Sequence, residues 1–109
     1  MKKLSEFTDE ELALAYANGD NKAFDLLLSR NQTKLFSYIL FVVRDREKAE
    51  DIFQETFVKV ISRLQQRRYV TSGKFGAWLI RIAHNIIMDS YRERRIENVI
   101  ETPEYNNLT

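Results

Sequence analysis

One stretch, Gly73 to Arg95 (GKFGAWLIRIAHNIIMDSYRERR), leaves this chain little choice of fold. Leu79, Ile82, Ala83, Ile86 and Ile87 recur at steps of three and four, the period of an α-helix with one apolar face. Arg81, His84, Asn85, Met88, Arg92 and Arg95 recur at the same steps on the opposite side. That outer side combines cations, an amide and a soft thioether, and Asp89 is its exceptional carboxylate. A helix with so continuous an apolar face must bury it against neighbours. Nothing else in the chain alternates with the period of a strand, and three Gly with one Pro are too few for the turns of an all-β fold.

The neighbours are helical as well. Thr8 and Glu11 have capping-box spacing before a helix over about Asp9 to Asn18, and Gly19 is a stop signal. Asp20 opens a second helix running to about Arg44, with Phe24, Leu27, Leu28, Leu35, Ile39 and Val42 as its buried stripe. Asp45 caps a third helix running to about Gln66, with Ala49, Phe53, Phe57, Val60 and Leu64 facing inward. A loop, Arg67 to Ser72, leads into the fourth helix. The expectation is an all-α protein: a compact bundle of four helices over residues 1–95, then a flexible C-terminal tail over 96–109 that begins an inter-domain linker.

Composition removes several classes of function. The chain has no cysteine and one histidine, so thiolate metal sites, disulfides and His-based catalytic pairs have no ligands or bases to use. No cofactor is expected, and the chain does not read as an enzyme. The start, MKKLSEF, lacks the apolar core of a signal peptide, and the apolar run Ile39 to Val43 is too short to cross a bilayer. A cytoplasmic protein without membrane insertion is expected.

The net charge of +1 conceals a division. Lys59 to Arg95 holds nine cations against Asp89 and Glu93, a balance of +7, so the remainder carries −6. Oppositely charged regions in one small domain suggest two partners, although an unevenly charged solvated surface explains the count equally well. The negative pole includes DREKAEDIFQETFVKV, Asp45 to Val60, where Glu47, Glu50, Asp51, Gln54 and Glu55 form a polar stripe on the third helix. Lys48 stands nearby and no histidine joins them, so acid–base or metal chemistry is a weak reading. A solvated acidic helix face is the default, and a docking surface for a basic partner is the sharper alternative. The positive pole has cations for phosphates and flat or soft side chains for bases, the combination single-stranded nucleic acid prefers.

Taken together, DREKAEDIFQETFVKV and FGAWLIRIAHNIIMDSYRERR resemble the second conserved region of bacterial sigma factors, most of all the extracytoplasmic-function type. The opening TDEELALAYANGDNKAFDLLLSRN is similar to the start of such proteins, so the likeness runs from about Thr8 to Arg95. It implies two roles. The acidic third-helix motif would dock on the clamp coiled coil of the RNA polymerase core, through Asp51, Gln54 and Glu55 with Glu47 and Glu50 beside them. The fourth helix and its preceding loop would recognise and melt the −10 promoter element, capturing bases of the non-template strand. Here those positions are Arg67, Arg68, Tyr69, Val70, Thr71, Ser72 and Lys74 in the loop, and Arg81, His84, Asn85, Met88 and Arg92 on the helix, with Arg95 suited to phosphate. The stretch between Leu64 and Trp78 is slightly longer than in some relatives, so loop positions do not map one to one. The family's −35-reading helix-turn-helix is missing, which implies a domain of a longer protein. A possible anti-sigma factor is a further partner, and a helical module that mainly binds such a protein is the alternative reading. Trp78 and Phe75 read as structural anchors, and Tyr69 as the better candidate for stacking on a base.

Overall fold

The computed structural model describes residues 3–67 and 74–101, with side chains in the second segment to residue 94. The described residues form a single 3-10 turn, Leu4–Glu6, and four α-helices: α1 Asp9–Ala17, α2 Asn21–Val43, α3 Arg46–Gln65 and α4 Phe75–Glu101. There is no strand among them. The all-α four-helix expectation is met.

Each junction is made by local chemistry. The Thr8 hydroxyl accepts from the Glu11 amide at 3.1 Å while the Thr8 amide donates to Glu11 Oε1 at 2.9 Å, a reciprocal capping box. Helix α1 ends where Gly19 takes φ +108°, with its amide bonded to Tyr16 O and the Asp20 amide to Ala15 O. This pair of bonds is a Schellman stop, which needs a residue that tolerates positive φ. Asp20 then caps α2 by accepting from the Lys22 amide. At the far end of α2, Arg44 enters the left-handed region at φ 55° and Asp45 caps α3 through the Lys48 amide. The reversal takes only Arg44 and Asp45, so α2 and α3 lie side by side and antiparallel. Arg30 secures the N-terminal segment to α2, donating to Phe7 O at 2.6 Å and Ser5 O at 2.9 Å, with Asp9 Oδ1 at 3.4 Å.

The core draws on all four helices: Leu12 and Ala13, Ala23, Leu27, Leu35 and Ile39, Ala49, Ile52, Val60 and Leu64, and Phe75, Leu79, Ile82, Ala83, Ile86 and Ile87. All five apolar positions expected to face inward on α4 are buried. On α2, Leu28 is only half-buried and lies outside the core, while Ala23 takes a deep position instead. On α3 Ala49, Val60 and Leu64 are buried as expected, but the middle of the inward face differs. Ile52 and Thr56 are buried, whereas Phe53 and Phe57 are half-buried. Thr56 tolerates burial because its hydroxyl donates to Ile52 O at 2.7 Å, leaving no unsatisfied polar atom. The two rings lie along the α2–α3 seam in a line of edge and tilted contacts, Tyr16–Phe24–Phe57–Phe53–Phe36, with centroids 4.9–6.2 Å apart. The Arg46 guanidinium lies over Phe36 at 5.7 Å and closes one end of the row.

The backbone of α4 stays helical to Glu101, past the fading of apolar periodicity at residue 96. The tail was expected from residue 96; residues 96–101 instead continue α4, and 102–109 lie outside the described residues.

Candidate nucleic-acid and protein interfaces

The outer face of α4 is set by its inner face. With Leu79, Ile82, Ala83, Ile86 and Ile87 buried, Arg81, His84, Asn85 and Arg92 are left exposed along the other side. Met88 differs from expectation: it is half-buried and packs against the core, presenting only part of its thioether outward. Lys74 is exposed immediately before the helix. Trp78 is half-buried in the first turn, its ring tilted against buried Phe75 at 5.5 Å, as anchors would be.

Two side chains of α4 are held by α2. His84 Nδ1 lies 3.2 Å from the Tyr38 hydroxyl, within hydrogen-bond reach, while the ring stays exposed. The Tyr91 hydroxyl donates to Val42 O at 3.5 Å, with the ring 40% exposed at the edge of the same face. Arg92 has a charged neighbour one turn back: Asp89 Oδ1 lies 3.7 Å from its guanidinium. Both groups are largely exposed, so the pair is weak, but it offsets part of the charge on this face.

The start of α4 is met by another element. The residue before the helix is Lys74, whose carbonyl accepts from the Trp78 amide at 3.1 Å. Glu10, from the first turn of α1, reaches across and accepts from the Phe75 amide at 2.8 Å in a partly buried contact.

Among the loop residues expected to contact DNA, Arg67 is exposed at φ 57° and lies beside Leu14 and Ala17 of α1, at the end of α3. It is therefore placed toward α1. Arg68, Tyr69, Val70, Thr71 and Ser72, and the side chain of Arg95, lie outside the described residues.

On α3, Glu47, Glu50, Asp51, Gln54 and Glu55 are all exposed. Glu50 accepts from Arg46 at 3.5 Å within the helix. Asp51 and Glu55 border a groove shared with α4, where Lys48, Lys59, Asp89, Glu93 and Arg94 also lie. Val58 extends the stripe as an apolar residue 66% exposed, one turn beyond Gln54 and Glu55. Neither Val58 nor the α2 contributors Tyr38 and Phe41, the latter 74% exposed, had been expected at a surface of interest. For Val58 the signal was present, since it falls on the stripe at the helical step. For Tyr38, whose partner is 46 residues away in sequence, none was. Among the described residues no cluster of His, Cys, Asp and Glu is suited to hold a metal, and no helix is long and apolar enough to cross a membrane.

This arrangement gives one small bundle a carboxylate-bearing stripe on α3 and a cation–amide face on α4, with a groove of mixed charge between the two helices. The family model described as Sigma-70 region 2 matches residues 27–96. Among curated proteins, the chain is 37% identical to the RNA polymerase sigma-H factor of Pseudomonas aeruginosa over 82 residues, 75% of this chain and 42% of that protein. It is 31% identical to the ECF RNA polymerase sigma factor BldN of Streptomyces coelicolor over 86 residues, 79% of this chain and 32% of that protein. It is 36% identical to the ECF RNA polymerase sigma-E factor of Haemophilus influenzae over 80 residues, 73% of this chain and 41% of that protein. The chain thus spans less than half the length of these relatives. No solved structure matches it significantly. The match over α2, α3 and most of α4, with relatives named as ECF factors, means that this chain belongs to the sigma-70 region 2 family and is of the extracytoplasmic-function sigma factor type.

Proposed function

We propose that this domain is the part of a transcription initiation factor that attaches to the RNA polymerase clamp through α3 and reads and melts the −10 promoter element through α4. The observation that carries the reading is the outer face of α4, where Arg81, Asn85 and Arg92 are exposed together and His84 stays exposed within hydrogen-bond reach of Tyr38. Cations there neutralise phosphates without regard to sequence, and a short amide in their midst supplies a donor and an acceptor for a base edge. Tyr69, flanked in sequence by Arg67 and Arg68, supplies a ring on which an unstacked base can rest. The carboxylates Glu47, Glu50, Asp51 and Glu55, with Gln54, supply charge-assisted acceptors to a basic helical partner, and Val58 adds an apolar contact beside them. The role needs no catalytic group and no cofactor. Its site of action is the cytoplasm.

A salt titration tests the proposal. Polymerase core carrying this protein is mixed with a fluorescent non-template-strand oligonucleotide that contains the −10 element, and anisotropy is followed against salt. Binding that falls steeply with salt and changes with the −10 bases is expected. Salt-insensitive binding without base preference would contradict it.

A further inference from the structure

We infer that the surface for single-stranded promoter DNA continues from α4 onto α2, where Phe41, with Tyr38 one turn before it, offers a ring on which a base outside the −10 core stacks. Tyr38 meets His84, and Val42 O meets the Tyr91 hydroxyl, so α2 and α4 run side by side in the same direction. Phe41 is next to Val42, which sets it level with the turn of α4 that holds Tyr91 and Arg92. Lys34, Tyr38 and Phe41 fall at helical steps on one side of α2. The Phe41 ring is 74% exposed, and the Arg44 guanidinium lies 6.0 Å from its centroid, close enough to add charge and far enough to leave the ring open. A flat ring beside a cation serves a base and its phosphate together. Charge selects the occupant. From Leu26 to Arg44 the chain has cations and no carboxylate. Asp45 follows, but its carboxylate accepts from the Lys48 amide at the start of α3. On its other border α4 meets the groove shared with α3, where Asp51, Glu55, Asp89 and Glu93 stand among the cations. A polyanion that leaves the outer face of α4 is therefore drawn toward α2 and not toward α3. A ring stacks on any base, so Phe41 adds affinity without sequence preference, unlike Asn85.

The inference rests on the proposed reading of α4, and the test separates the two. Polymerase core carrying the unchanged protein, Phe41→Ala, Phe41→Leu or Phe41→Trp is titrated with two fluorescent non-template-strand oligonucleotides. One holds the −10 element alone, and the other is extended by several nucleotides on either side. The unchanged protein should bind the extended strand more tightly, whatever bases the extension carries. Phe41→Ala and Phe41→Leu should each lose about five- to tenfold on the extended strand, the lower range for one stacked base, and nothing on the short one. Phe41→Trp keeps a flat ring and should retain the gain. Affinity for polymerase core should stay unchanged in all three variants. An Ala variant that binds the extended strand as well as the unchanged protein overturns the inference, as does a Leu variant that keeps the gain, or an equal loss on both strands. Weakened binding to polymerase core would assign Phe41 to a protein contact and overturn it too. If the unchanged protein binds neither strand, the reading of α4 fails and takes this extension with it.

Discussion

Arg92 shows how one neighbour alters what a residue can contribute. Its guanidinium lies 3.7 Å from Asp89 one turn back, so part of its charge is already offset on a surface that otherwise attracts anions. Arg92→Ala should weaken binding to every −10 sequence alike and lower the salt slope by about 0.7, the share of one phosphate contact on a single strand. Asp89→Asn should do the reverse. It should tighten binding to all −10 variants about two- to fivefold at low salt, with the gain fading as salt screens the exposed charges. Both are measured by the same anisotropy titration, and a change confined to particular bases would mean that Arg92 reads sequence. Arg81, His84, Asn85 and Arg92 were legible as an outward set because the buried set opposite them is unbroken and apolar, whereas Met88, read with them, packs against the core. The Asp89–Arg92 pair, three residues apart on one helix, has the spacing at which neighbouring side chains meet. Glu10 and Tyr38 were not legible. Their partners lie 65 and 46 residues away in sequence, and no period links them.

Among the elements, α4 and α3 were read with different success for a physical reason. Helix α4 separates its faces cleanly, and the positions assigned to its core are all buried. Leu79, 2% exposed, should therefore cost ~2–5 kcal/mol when replaced by alanine, measured by denaturant unfolding. A barely altered midpoint would mean the faces are reversed. Helix α3 hides a threonine in its buried face and sets two phenylalanines at the rim, so its spacing gave Ala49, Val60 and Leu64 correctly but put Phe53 and Phe57 where Ile52 and Thr56 lie deepest. Rings on a helix–helix seam can stay half-exposed while still covering apolar surface, and a self-bonded hydroxyl can go deep. The acidic stripe survived this error because it is wide. Glu55→Lys should weaken binding to polymerase core in a pull-down while leaving the circular dichroism spectrum unchanged, and undiminished binding would remove α3 from the interface. The end of α4 was placed short because apolar periodicity reports burial, whereas helicity to Glu101 needs only satisfied backbone bonds and residues that favour them. At the α1–α2 junction, a Cβ added to Gly19 would meet nothing within 4 Å, yet φ +108° is strained for any L side chain. Gly19→Ala should thus cost about 1–2 kcal/mol through the backbone alone, read from the same unfolding curves.

At the scale of the molecule, the charge pattern of the chain maps only in part onto the helices: α3 carries the exposed stripe Glu47, Glu50, Asp51, Gln54 and Glu55 and α4 exposes Arg81, Asn85 and Arg92, while charges of both signs meet in the groove between the two helices. A four-helix bundle suits this role because each helix spends one face on the common core and keeps another for a partner. Contacts from α1 and α2, Glu10 to the Phe75 amide, Tyr38 to His84 and Tyr91 to Val42 O, join α4 to the rest of the bundle. Among the described residues the chain offers no metal cluster. What it offers is placement of charge and hydrogen-bonding groups. The central claim is that the outer face of α4 reads bases of the opened −10 element. It is tested most directly by open-complex formation with polymerase core carrying the unchanged protein or Asn85→Ala, across every single-base variant of the −10 element. The account predicts that Asn85→Ala selectively loses discrimination at one or two neighbouring positions, by ~1–3 kcal/mol, while the remaining positions keep their order. An unaltered ranking across the whole panel would contradict it and place base recognition elsewhere in the domain.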